Sequence, residues 1–119
     1  MGRIAAKDGS SAAHAMALDV SAQVEARRGR IQEAVEIAKR ALAYARRSRD
    51  RRLVAKALLG SAEVALRAQA LERALRDAGA AAPLFRDLRD LAGEGRAHRV
   101  VAMVESRRGR HAELQRSAR

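Results

Sequence analysis

Residues 25–30 of the chain read Glu-Ala-Arg-Arg-Gly-Arg, and eighty residues later residues 105–110 read Glu-Ser-Arg-Arg-Gly-Arg. A weaker repeat with an offset of forty residues aligns Ala22 with Ala62 and Ala102. A fixed period of roughly 20 to 50 residues is typical of solenoids, in which each repeat covers the apolar face of its neighbour. The repeat therefore predicts a stack of similar units.

The composition favours helices throughout the chain. Hydrophobic residues make up 48% of the 119 residues, only 2% are aromatic, and Pro83 is the single proline. Alanine, leucine and arginine are strong helix formers, and no stretch alternates apolar and polar residues as a strand does. We therefore predict an all-α fold, a right-handed stack of antiparallel helical hairpins with about five or six helices.

Turn residues divide the chain into a leader and one domain. We expect residues 1–10 to form a flexible leader. Ser10 or Ser11 is expected to cap the first helix. Residues 11–119 predict a single domain of three units, the last of them incomplete. The units are expected at about 11–50, 51–90 and 91–119.

Within these units the helical periodicity predicts two helices each. The helices are expected at about 12–28, 31–47, 53–68, 71–88, 95–108 and 111–118. Gly29 and Gly109 are expected to end the first helices of units one and three, and Asp50 is expected to cap the third helix. The segment from Gly93 to Gly95 is expected to be a turn between units. Pro83 predicts a kink or a break between residues 79 and 83, because proline removes a backbone donor.

Charge and residue types limit the classes of function. The formal net charge is +11, from 25 Lys and Arg against 14 Asp and Glu, which favours an acidic partner. The absence of cysteine excludes disulfides and thiolate metal sites and fits a cytoplasmic location. No apolar run is long enough to span a bilayer, so we expect no membrane partner. We expect no cofactor.

The run from Gly29 to Val35, followed by Ala38, Ala41 and Leu42, resembles the turn and second helix of a tetratricopeptide repeat. That family pairs small residues across the two helices, and this chain offers the same pairing. The pairs are Ala22 with Ala34 and Ala62 with Ala74. The forty-residue period is similar to extended variants of the family, which occur in sensor regions of large bacterial transcription regulators and in kinesin light chains.

The resemblance implies a concave surface lined by the first helix of each unit. That surface would be mainly cationic. It would bind an acidic peptide or a partner helix through bidentate hydrogen bonds from arginine guanidinium groups to carboxylates. The residues expected to bind this partner are Lys56, Arg67, Arg96, Arg99, Arg27, Arg107, Gln23 and Met103. The arginines near helix ends also have a structural interpretation, because positive charge there complements the helix dipole.

The sequence therefore predicts a protein-interaction scaffold or adaptor. One possibility that the resemblance suggests is that it forms part of a larger bacterial regulator. Two alternatives stay open: self-association through the uncapped third unit, and, less favoured, nucleic-acid binding by the basic surface. Catalysis is the least favoured function and we expect no enzyme. His14, His98 and His111 have no metal-ligand spacing, and no glycine-rich phosphate loop follows a strand.

Overall fold

The fold is known from a computed structural model, which describes residues 9–118. Within this range the chain is helical and contains no strand, which confirms the all-α prediction. The helices are α1 (Gly9–Arg27), α2 (Ile31–Ser48), α3 (Arg51–Arg67), α4 (Leu71–Asp87) and α5 (Leu91–Ser117). Consecutive helices pack on each other, and the first helices of the units also contact one another, α1 with α3 and α3 with α5. The result is a stack of hairpins measuring 67 × 31 × 19 Å.

The helices follow one another at a constant interval of twenty residues. Helices α2 to α5 begin at residues 31, 51, 71 and 91. The residues with positive φ are Gly29, Arg49, Gln69 and Arg89, also twenty apart. A left-handed residue is a common way to end a helix. The forty-residue sequence repeat therefore corresponds to two helix-and-turn segments of equal length.

Three of the four turns use the same pair of backbone hydrogen bonds. In the first turn the amide of Gly29 donates to the carbonyl of Ala26 at 3.1 Å, and the amide of Arg30 donates to the carbonyl of Glu25 at 2.9 Å. The turns at Gln69 and Arg89 repeat this pattern. These bonds satisfy carbonyl groups that the end of a helix leaves without a partner.

Aspartate caps the first helices of the second and third units. The Asp50 carboxylate accepts hydrogen bonds from the amides of Arg52 at 3.0 Å and Leu53 at 3.4 Å, which confirms the predicted cap. The Asp90 carboxylate accepts from the amide of Gly93 at 2.9 Å. Each cap fixes where the helix begins, because it satisfies amides that have no partner within the helix.

Alanine lets the helices approach closely. The predicted pairs are fully buried: Ala22 and Ala34 are both 0% exposed, and so are Ala62 and Ala74. The two residues of each pair belong to the same hydrophobic cluster, and each cluster also includes residues of the next unit. Small side chains at a helix crossing reduce the distance between backbones. The core therefore consists of many close backbone contacts with few large side chains.

Two predicted interruptions are wrong because α5 is one helix from Leu91 to Ser117. The Asp90 cap starts α5 before Gly93 and Gly95, so this segment is helical. Gly109 also lies inside α5. In unit one the equivalent turn is followed by α2, which buries a row of alanines. After Gly109, Leu114 stands where unit one has Ala34. If residues 110–118 turned back as a separate helix, they would bury less apolar surface than α2 does. The unbroken helix keeps its own hydrogen bonds.

Of the kink or break predicted near Pro83, the break is wrong, because α4 continues through Pro83 to Asp87. Pro83 and Gly79 are both exposed. The Gly79 carbonyl, which proline deprives of its donor, can therefore bond to water. Gly9 is already part of α1, so Ser10 and Ser11 lie inside this helix, and the prediction that one of them caps it is wrong. The rest of the predicted leader, residues 1–8, lies outside the described residues.

Candidate functional site

Two adjoining hollows run along the first helices of the three units. The larger has a volume of about 340 Å³ and the smaller about 220 Å³, and both are lined by Asp19 and Lys56. We call their union the groove. The larger hollow is lined by Asp19, Gln23, Arg27, Lys56, Leu59, Gly60, Glu63, Phe85, Asp90, Ala92, Gly93 and Arg96. The smaller is lined by Ala15, Met16, Asp19, Val20, Leu53, Lys56 and Ala57.

A glycine allows α1 and α3 to meet at the centre of the groove. A Cβ atom on Gly60 would overlap the Asp19 carboxylate and would lie 3.3 Å from the Gln23 amide nitrogen. Since α3 has no side chain at this position, the polar side chains of α1 can lie across it. The packing of the first two units therefore brings Asp19 and Gln23 into the floor of the groove.

The Asp19 carboxylate is half-buried between charged groups of α3 and α5. Burial raises the pKa of Asp19, and the negative charge of Glu63 raises it further. The positive charges of Lys56 and Arg96 lower the pKa, but they do not cancel this effect. The groove therefore holds a carboxylate that is less solvated than an ordinary surface aspartate.

Arg96 already has a carboxylate partner inside the groove. Its Nη2 atom donates to both oxygens of Glu63 at 2.9 Å, across the contact between α5 and α3. Lys56 and Arg27 make no hydrogen bond or ion pair with residues 9–118. Of the three cations that line the larger hollow, these two are free to meet an external carboxylate. Arg96 would first have to release Glu63.

Arg67 and Arg107, both predicted to face the partner, bind neighbouring helix ends. Arg67 Nη1 donates to the carbonyl oxygen of Ala26 at 3.4 Å, and Arg107 Nη1 donates to that of Leu66 at 2.9 Å. Neither arginine lines the two hollows. In both cases the guanidinium links one unit to the last turn of the preceding first helix. Arg67 lies in the last turn of α3, as the helix-dipole interpretation requires. That interpretation is wrong for Arg107, because α5 continues from Leu91 to Ser117 and Arg107 lies in its interior.

The other predicted residues divide between the groove and the outside. Gln23 lines the larger hollow. Arg99 and Met103 are exposed on α5 but do not line either hollow. The sequence prediction omitted Val20, which is 64% exposed and lines the smaller hollow. Its equivalents forty and eighty residues later, Gly60 and Val100, are buried. The repeat alone gave no sign of this difference.

The prediction that cations predominate in the groove is wrong for the larger hollow. Its cations are balanced by an equal number of carboxylates. The cations are Arg27, Lys56 and Arg96, and the carboxylates are Asp19, Glu63 and Asp90. The prediction counted the arginines of the first helices but did not anticipate that Glu63 would pair with one of them. The groove is polar with balanced charge at one end and apolar at the other.

Comparisons of this chain with protein-family models, with curated proteins and with solved structures find no match. Within residues 9–118, no helix combines the length and the apolar character needed to cross a membrane. The same part of the chain contains no group of three or more His, Asp or Glu side chains placed to hold a metal ion.

Proposed function

We propose that the chain is a protein-interaction scaffold of the tetratricopeptide type, and that the groove receives a helical or extended segment of a partner. The observation that carries the proposal is a pair of adjoining hollows that share Asp19 and Lys56 and together extend along α1 and α3 to α5. Stacked helical units commonly provide such extended binding surfaces.

The chemistry of the groove defines the segment that it fits. At one end Met16 and Val20 are exposed by 54% and 64%, and they offer apolar contact. Lys56 lines both hollows, and Arg27 lies at the other end. Neither makes a hydrogen bond or ion pair with residues 9–118, and a carboxylate can form charge-assisted hydrogen bonds with them. The segment should therefore carry an apolar side chain and, further along, Asp or Glu.

Glu63 occupies the position that a ligand carboxylate would take on Arg96. The two groups bond through both carboxylate oxygens, and the pair is exposed enough to exchange with solvent. An exposed ion pair of this kind contributes roughly 0 to 1 kcal/mol. A partner carboxylate can therefore displace Glu63 at small cost. Removing the charge with Glu63→Gln should strengthen binding of an acidic segment.

The experiment is a selection of displayed 16-residue peptides on the folded chain. Peptides that carry acidic and apolar residues should be enriched, and they should bind the Lys56→Ala/Arg27→Ala variant at least about tenfold more weakly, which corresponds to 1.4 kcal/mol. The matched control is Arg40→Ala/Arg46→Ala, which removes the same charge from exposed positions on α2. Enrichment without acidic residues, or equal losses in both variants, would reject the groove as the binding site.

Nucleic-acid binding has weaker support than peptide binding. Single-strand binding commonly uses aromatic rings on which bases stack. Phe85 is 1% exposed, and the Tyr44 ring already stacks with the His14 ring at 4.8 Å, with the Arg47 guanidinium 5.1 Å from its centre. Neither aromatic side chain presents a free stacking surface.

A further inference from the structure

One face of α5 is exposed although the equivalent faces of α1 and α3 are covered by a helix. This face, which we call the open face, consists of residues separated by four, three, four and four positions along α5. Its members are Leu91, Gly95, His98, Ala102 and Ser106, and all of them are exposed. A spacing of three and four places them on one side of the helix.

Most of the equivalent positions in α1 and α3 are buried against the second helix of their own hairpin. The exceptions are Arg51, the equivalent of Leu91 in α3, which is exposed, and Leu18 in α1, which is half-buried. Ala62 and Ala22, which lie forty and eighty residues before Ala102, are both 0% exposed. Ala22 and Ala26 share a cluster with the α2 alanines Ala34 and Ala38. In unit two the corresponding residues share a cluster with a row of α4 alanines. The chain thus contains two examples of how this kind of face is occupied.

The two covering helices define the chemistry of an occupant. Helix α2 places buried alanines at positions 34, 38, 41 and 45. Helix α4 places alanines at the equivalent positions 74, 78 and 81, followed by Phe85. An alanine row of this spacing forms one narrow side of a helix, and it lets the backbones approach closely.

The chain's own residues 110–118 do not cover the open face. They continue α5 beyond Gly109 and are exposed. Leu114, which is 69% exposed, stands where the covering helices have alanine. Only Ala118 matches the alanine row, at the position of Ala38 and Ala78.

We propose that the open face is a docking site for an amphipathic helix of another protein. That helix carries alanine or other small residues on one side, at intervals of four, three and four positions. The exposed Leu91 at 80% and the small Ala102 and Ser106 provide the apolar and close-approach positions. His98 is the exception, because units one and two have Leu18 and Leu58 there. The site is separate from the groove and does not depend on the function proposed for it.

The probe is a synthetic labelled peptide of residues 30–48, which corresponds to α2 and carries the alanine row. We expect it to bind the full chain saturably in fluorescence anisotropy. The Ala102→Trp variant should weaken binding at least about tenfold, because the indole holds the two backbones apart. The matched control is Ala112→Trp, an exposed alanine of the same helix outside the open face, which should leave the affinity within about twofold.

A substitution that is expected to raise the affinity of the open face for the peptide provides a second test. His98→Leu restores the leucine of units one and two and should strengthen binding roughly threefold to tenfold. A peptide with Ala38→Glu and Ala41→Glu should not bind, because the alanine row is lost. Absence of binding by the native peptide, or equal affinities of Ala102→Trp and Ala112→Trp, would overturn the proposal.

Two further outcomes would assign the open face to a different occupant and would also overturn the proposal. Gly109→Ala favours the straight form of α5, since alanine is the better helix former. If this variant bound the peptide much more strongly, residues 110–118 would be a competitor that folds back. If sedimentation equilibrium without peptide showed a dimer that Ala102→Trp abolishes, the occupant would be a second copy.

Discussion

Arg107 donates from Nη1 to the carbonyl oxygen of Leu66 at 2.9 Å and so joins α5 to the last turn of α3. Arg67 makes the equivalent bond to Ala26, one unit earlier in the stack, at 3.4 Å. The last carbonyls of a helix carry partial negative charge. The repeated arginine therefore links consecutive first helices, and the repeat has a structural meaning at this position.

Replacing Arg107 with methionine should lower the free energy of unfolding by about 1 to 2 kcal/mol, because a partly buried hydrogen bond from a charged donor is lost. Arg110→Met is the matched control, since Arg110 is exposed and makes no hydrogen bond or ion pair with the described residues. Urea unfolding followed by circular dichroism measures both. Equal stability of the two variants would show that the Arg107 bond contributes nothing.

Two helical glycines should respond to alanine in opposite directions. A Cβ atom at Gly93 would overlap the ring of buried Phe85, whereas a Cβ atom at exposed Gly79 would meet no atom within 4 Å. Gly79→Ala should stabilise the protein by about 0.5 to 1 kcal/mol. Gly93→Ala should destabilise it by about 1 to 3 kcal/mol, because the core becomes overpacked. Thermal unfolding of the two variants tests the contact between α4 and α5.

Gln69 and Arg89 hold left-handed backbone angles, with φ of 61° and 59°. A side chain in this region costs roughly 1 to 2 kcal/mol, and glycine avoids that cost. Gln69→Gly and Arg89→Gly should each raise the free energy of unfolding by up to about 1 kcal/mol. Gly29→Ala, at φ 86°, is the reverse change and should lower it. A loss of stability in both glycine variants would contradict this explanation of the turns.

Asp19→Asn should stabilise the protein at neutral pH. Because the pKa of Asp19 is raised in the folded state, the unfolded chain ionises this carboxyl more readily than the folded chain does. Ionisation therefore favours unfolding as the pH rises above the ordinary aspartate range. The gain from Asp19→Asn should be present at pH 7 and should shrink at pH 3, where the carboxyl is protonated in both states. Urea unfolding at the two pH values measures it, and a gain that is larger at pH 3 would contradict the raised pKa as its cause.

The hairpins were predictable because each one rests on local signals that agree. Gly29 follows α1 with a left-handed backbone, and the Asp50 carboxylate caps the start of α3. The pairing of Ala22 with Ala34 follows from the repeat, and the structure shows both residues buried. These features depend on residues close in sequence or on the period itself.

The errors arose where tertiary context decides between two local outcomes. The segment around Gly29 turns while the nearly identical segment around Gly109 stays helical. The difference lies in the residues after each glycine, since α2 can bury a full row of alanines. In the same way, the sequence offered Arg96 as a free cation, but packing of α5 on α3 placed it against Glu63. A local pattern contains no information about such partners.

The long α5 has a consequence for how the protein behaves in solution. Its 27 residues correspond to a rod of about 40 Å, and the part beyond Gly109 extends from the stack. A particle with one axis more than twice the next diffuses more slowly than a sphere of the same volume. A single chain should therefore elute early from a gel-filtration column, at the volume of a larger globular protein.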